Sequence, residues 1–120
     1  MCKSKDRQTK IMSAREALAL IKNNDTVTTG GFNGTGVAED LLICLGEIYQ
    51  ETQAPGNLTM VYGAGQGDFN STGLSWLGHP GMVGKIIAGH YGGSPKLSKF
   101  VVENKAQGYN LPQGVICQMF

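Results

Sequence analysis

No run in this chain approaches 18 consecutive apolar residues, so no membrane-spanning helix is expected. The start also lacks the apolar stretch of a secretory signal. Cysteine is scarce: Cys2, Cys44 and Cys117 are three in number and form no C-x-x-C. That pattern suggests neither a disulfide framework nor a zinc site, and reads as a cytoplasmic protein in a reducing compartment. Excess charge is missing as well. Ten Lys and Arg against nine Asp and Glu leave a net charge of +1. A nucleic-acid binder driven by bulk charge is therefore not expected. The one local asymmetry is at the start, where Lys3, Lys5, Arg7 and Lys10 face only Asp6. Residues 1–10 read as a flexible, solvated leader.

What is present is a glycine-rich, moderately apolar chain. Its 120 residues fit one domain that buries roughly two-thirds of its unfolded surface. Hydrophobic residues at 41% and charged residues at 16% suit a globular protein better than a disordered one. Glycine accounts for 18 positions, and these alternate with apolar runs. Such spacing marks tight turns and close backbone approach in a folded α/β layer.

Ser13 to Glu16 reads S-x-x-E, a capping box at a helix start. The helix is expected to run through Ala17, Leu18 and Ile21 and to stop at Asn23-Asn24-Asp25. Thr26 to Thr29 is a β-branched strand candidate that runs directly into a glycine-rich loop, Gly30 to Gly36. Val37 to Thr52 follows as the strongest helix, with Val37, Leu41, Leu42, Leu45, Ile48 and Tyr49 on one stripe. Glu39 and Asp40 in its first turn complement the macrodipole. Leu58 to Tyr62 is the second strand, and Gly63 to Asp68 is again a glycine loop after a strand. Leu74, Trp76 and Leu77 suit a short helical turn. Lys85 to Gly89 reads as the third strand. Ser94-Pro95 reads as the N-cap and first residue of a helix whose inner face is Leu97, Phe100 and Val101. Tyr109 to Leu111 reads as the fourth strand. The order favours an α/β fold, an open, mostly parallel sheet with flanking helices. Ligands in such sheets bind at the carboxyl ends of strands, where all these glycine loops should gather. The apolar segment Val115 to Phe120 is expected to pack on a partner surface, as in a truncated chain or a subunit.

The Gly30–Gly36 loop contains G-x-x-G-x-G between a strand and a helix. Backbone amides there can hold a phosphate or carboxylate, or the loop is simply a tight turn. It matches neither the dinucleotide fingerprint nor a P-loop. Asp68 suits either a general base or the cap of a turn. His79 and His90 are eleven residues apart with no clear third ligand, so no metal site is expected. Gln113, between Pro112 and Gly114, offers a neutral amide that can bond a carboxylate without repulsion; a surface turn accounts for it equally.

Four segments then carry a resemblance. Asp25 to Phe32 with Gly34 to Glu39, then LTMVYGAGQGD at Leu58 to Asp68, KIIAGHYG at Lys85 to Gly92, and YNLPQGV at Tyr109 to Val115 occur in that order. Together they resemble family I coenzyme A transferases, in the fused-chain branch acting on acetate, propionate and other short acyl groups. The resemblance covers about residues 10–120, the N-terminal part of the first of two similar halves, so 11–120 is expected to be a partial domain. It implies transfer of coenzyme A from an acyl-CoA to a free carboxylate through a glutamyl-CoA thioester. The nucleophilic glutamate would belong to the second half, so no catalytic residue is expected in this chain. Neither Glu16, Glu39, Glu47, Glu51 nor Glu103 takes that role. The resemblance implies that Gln113 binds the substrate carboxylate or thioester oxygen. It places Gly31, Phe32, Asn33, Gly34, Gly65 and Gln66 near the coenzyme A and acyl site. Coenzyme A enters as co-substrate, with no bound cofactor. The implied partners are an acyl-CoA, a short carboxylate, the rest of the enzyme and further copies in a homo-oligomer. Two other readings stand beside it. One is a non-catalytic α/β module whose loops hold a phosphorylated ligand. The other is a sugar-phosphate isomerase or deaminase relative, with Asp68 and His90 as its acid–base pair.

Overall fold

The computed structural model describes residues 11–120. The basic leader expected at residues 1–10 lies outside the described residues. Four strands form one sheet in the order β1 (Thr26–Thr28), β2 (Leu58–Tyr62), β3 (Val83–Ala88) and β4 (Gln107–Asn110). Every pairing is parallel. The parallel α/β sheet expected from the element order is therefore what forms. Successive strands are neighbours, so each crossover steps the same way across the sheet. Right-handed crossovers of that kind stack their helices on one face.

Those helices are α2 (Glu39–Thr52), a 3₁₀ helix (Gly73–Leu77) and α3 (Pro95–Val102), with α1 (Ala14–Leu18) set against α2. Leu42, Leu45 and Tyr49 of α2, Leu74 and Leu77 of the 3₁₀ helix, and Leu97 and Phe100 of α3 are buried together. They meet Leu58, Met60 and Tyr62 of β2 and Val83, Ile86 and Ala88 of β3. In β2 these residues alternate along the strand, so they line one face. Leu41, on the expected stripe, is exposed at the flank. Tyr49 Oη donates to Pro80 O at 2.8 Å and ties α2 to the turn before β3.

Several boundaries differ from expectation: β1 stops at Thr28, β3 runs Val83–Ala88 where Lys85–Gly89 was expected, and β4 stops at Asn110 before Leu111; three further differences have a local reason. The capping box at Ser13 and Glu16 is present, but α1 ends at Leu18. The backbone tightens there, with Ile21 N donating to Leu18 O and Lys22 N to Asp25 Oδ2. α2 starts at Glu39 and not at Val37, because Ala38 takes the non-helical N-cap conformation at φ −79° and ψ 65°. β4 begins at Gln107, earlier than its apolar residues suggest. A Cβ at Gly108 would lie 2.5 Å from Val101 Cγ1, so this glycine lets α3 sit close to the sheet edge. The last apolar segment forms α4 (Gln113–Met119), with Ile116 fully buried and Val115, Met119 and Phe120 exposed.

Candidate functional site

The carboxyl ends of the strands meet at one edge of the sheet. The first loop closes on itself after β1: Phe32 N donates to Thr35 O and Thr35 N to Phe32 O, at 3.0 and 2.9 Å. Gly31 has φ 124°, and a Cβ there would lie 2.7 Å from Val37 Cγ2. Only glycine suits that position. Asn33, at φ 50°, bridges to the loop after β2. Its N–H donates to Gly65 O at 2.9 Å, and Gly67 N donates to Asn33 O at 2.7 Å.

The third loop joins them by backbone contact. A Cβ at Gly93 would lie 2.8 Å from Gln66 N and from Gly65 Cα, so these two glycine segments touch main chain to main chain. A Cβ at Gly65 would lie 2.8 Å from His90 Nδ1, which puts the His90 ring against the second loop. The start of α4 then settles on the tips of β2 and β3. The Cβ positions of Gly63 and Gly89 lie 3.7 Å from Gln113 Cγ and 3.1 Å from Gln113 Cβ. Asn110 Nδ2 reaches Ala88 O at 3.2 Å, and Leu111 N donates to Ala88 O at 3.1 Å, which holds the turn before Gln113 in place.

The structure thus joins Asn33 of the first loop to Gly65 and Gln66 of the second, with Phe32 and Gly34 exposed, and seats Gln113 beside Gly63 and Gly89 at the strand tips. Gln113 is exposed, as is Phe32. A Cβ at Gly34 would meet nothing within 4 Å. The Gln66 side chain is turned inward from the loop. It is 1% exposed, and its Nε2 donates to Thr29 O at 2.9 Å. Its Oε1 and the neighbouring Thr29 Oγ1 are buried without protein partners. The side chain therefore fastens the tip of β1 to the second loop from behind, and the loop shows its backbone.

Asp68 is a turn cap. Its Oδ1 accepts from Asn70 N, Ser71 N and Thr72 N at 2.7–3.0 Å. The Thr72 and Ser71 amides, foremost, hold its carboxyl well below the usual carboxylate range. A carboxylate so occupied is a poor proton acceptor, which removes the acid–base pair that an isomerase reading needs. His79 stacks on Tyr49 with ring centroids 6.1 Å apart and pairs with Gln50 Nε2 at 3.1 Å. Burial, aided by Lys96, pushes its pKa down. Among the described residues no group of three His, Cys, Asp or Glu could hold a metal ion.

Sequence reasoning missed Glu39 as more than a dipole partner. Its carboxylate accepts from Gly73 N with both oxygens at 3.0 Å and from Trp76 Nε1 at 2.6 Å. A cavity of about 480 Å³ lies elsewhere, at the amino ends of the strands between Asn57, Gly84 and Gln107. It holds no buried unpartnered group. The strand-tip edge, where loop backbones converge, is the stronger candidate.

Residues 11–120 match the family model described as coenzyme A transferase. The chain belongs to the coenzyme A transferase family. It is 37% identical over 110 residues to the acetate CoA-transferase YdiF of Escherichia coli K12, covering 90% of this chain and 20% of that protein. It is 35% identical over 111 residues to the caffeate CoA-transferase of Acetobacterium woodii, covering 92% and 21%. Its fold superposes with a TM-score of 0.87, at 37% identity, on the crystal structure of an acyl-CoA transferase from E. coli O157:H7 in a thioester complex with CoA. That match covers 89% of this chain and 22% of the other. The chain therefore spans about a fifth of the length of these relatives. Family membership places the glycine loops in a coenzyme A transferase fold. No helix of the described residues is long and apolar enough to cross a membrane.

Proposed function

We propose that this chain supplies the N-terminal part of the first half of an acyl-CoA:carboxylate CoA-transferase. Its strand-tip edge binds the acyl-CoA and carboxylate. The observation that supports this most is the seating of Gln113 on the tips of β2 and β3, next to loops that present bare backbone. Its amide N–H is suited to an oxygen that gains charge when a thioester carbonyl becomes tetrahedral. Gly31, Phe32, Asn33, Gly34 and Gly65 contribute loop surface, and Gln66 supports it from within. The nucleophile is a glutamate outside these 120 residues, which takes the acyl-CoA through a glutamyl-CoA thioester. Short acyl groups such as acetate or propionate, the cytoplasm and a homo-oligomeric assembly complete this reading.

The test is exchange of isotopic label between acetate and acetyl-CoA by a protein that carries this segment within the whole family region. Exchange is expected there, and none by the 120-residue chain. Gln113→Ala should lower kcat/KM by about 10²-fold, the loss of one donor to a developing oxyanion. Unchanged exchange by that variant would remove Gln113 from the site, and absence of exchange by the unmutated protein would remove the activity.

A further inference from the structure

Glu39 joins the two glycine loops through their supports. It opens α2, directly after the first loop, whose Gly31 rests on Val37. Its partners Gly73 and Trp76 belong to the 3₁₀ helix that follows the second loop. That 3₁₀ helix is in turn pressed onto the second loop. A Cβ at Gly73 would lie 2.4 Å from Gln66 O, and Leu74 N donates to Gln66 O at 3.2 Å. On the far side, Asn33 bonds Gly65 and Gly67. The contacts close a ring from the first loop, through Glu39, to the 3₁₀ helix, to the second loop, and back through Asn33.

A half-buried carboxylate accepting amide and indole N–H groups makes strong, directional bonds. Its place in the first turn of α2 adds the favourable end of the helix dipole. Among the described residues no salt bridge competes for it. We infer that Glu39 is a positioning residue: it fixes the spacing of the two glycine loops that present backbone to the ligand, without touching the ligand. The inference rests on the reading that these loops bind coenzyme A.

The chemistry grades the variants. Both donors reach Oε1, so Glu39→Gln keeps one acceptor for each and loses the charge. Glu39→Ala leaves the Gly73 and Trp76 N–H groups without the carboxylate. Trp76→Phe removes one donor and keeps a ring. Backbone hydrogen exchange of the 120-residue chain reads the coupling without any ligand. In Glu39→Ala, exchange should quicken about tenfold in both segments 30–36 and 63–68, with Glu39→Gln and Trp76→Phe intermediate. Quickening confined to residues 73–77, or none, would overturn the inference. Coenzyme A titration, followed through Trp76 as the single tryptophan, is the second measurement. The dissociation constant should rise in the same order, and wild-type binding that Glu39→Ala leaves unchanged would also overturn it. If the 120-residue wild type alone binds no coenzyme A, the titration is made in a protein that carries this segment within the whole family region; no binding there would defeat the proposed function, while the exchange result still decides the coupling. If Glu39→Ala loses its tertiary circular dichroism, Glu39→Gln and Trp76→Phe carry the same comparison.

Discussion

Asp68 gathers three backbone N–H groups on one oxygen, and those bonds exist only in the folded chain. Its folded pKa is therefore below its unfolded value, and the sign follows. The contribution to stability is full above the ordinary carboxylate range and is lost as pH falls toward the depressed pKa. Asp68→Asn retains a carbonyl acceptor without the charge. The melting temperature of the wild type should exceed that of Asp68→Asn at pH 7, and the gap should narrow between about pH 4 and pH 2. A gap that is constant across this range would show that ionisation of Asp68 is irrelevant to the fold. The turn was readable at this residue, since an aspartate followed by Ser71 and Thr72 is an ordinary cap. Glu39 and Gln66 were not, because their partners lie 34 to 37 residues away in sequence. Local pattern carries no information about which loop a side chain will meet across a crossover.

At the scale of elements, what periodicity and turn residues specify was legible. β2 occupies Leu58–Tyr62 as expected, and Pro95 opens α3. What tertiary contact specifies was not. In β4, Gln107, Gly108 and Asn110 are poor strand formers that pair because β3 offers them an edge. Gly46 is the sharper case. In the middle of α2 it looks like a defect worth about 1 kcal/mol against alanine. The structure shows why it is there: a Cβ would lie 2.6 Å from Trp76 O, the backbone of the 3₁₀ helix that α2 packs on. Gly46→Ala should therefore destabilise the chain by about 1–3 kcal/mol, as overpacking does, despite its better helix propensity. Urea unfolding measures this directly. A stabilised variant would mean that α2 and the 3₁₀ helix can separate freely, which would also weaken the case for Glu39 as their link.

For the whole molecule, the decisive feature is that parallel strands wound in one direction bring every loop after a strand to the same edge. The alternation of strands, loops and helices made this legible in outline. The sequence did not show how closely the loops meet, because contact between glycine backbones leaves no side-chain signature. Gly93 and Gly30 separate the two ideas. Both sit in strand-end loops, and neither has a positive φ. A methyl at Gly30 would meet nothing within 4 Å, whereas at Gly93 it would enter the backbone of Gly65 and Gln66 at 2.8 Å. Main chain held by its own bonds cannot yield as a flexible side chain does, so Gly93→Ala must push the second and third loops apart. Coenzyme A affinity should fall about tenfold or more in Gly93→Ala and stay within about twofold of wild type in Gly30→Ala, on the usual cost of overpacking. Far-ultraviolet circular dichroism should be unchanged in both, because the buried core of β2 and β3 lies below the loops. Equal affinity in the two variants would mean that close approach of the loops is incidental to binding. The ligand would then be held by side chains such as Gln113 alone, and the glycines would be there only to let the sheet edge close.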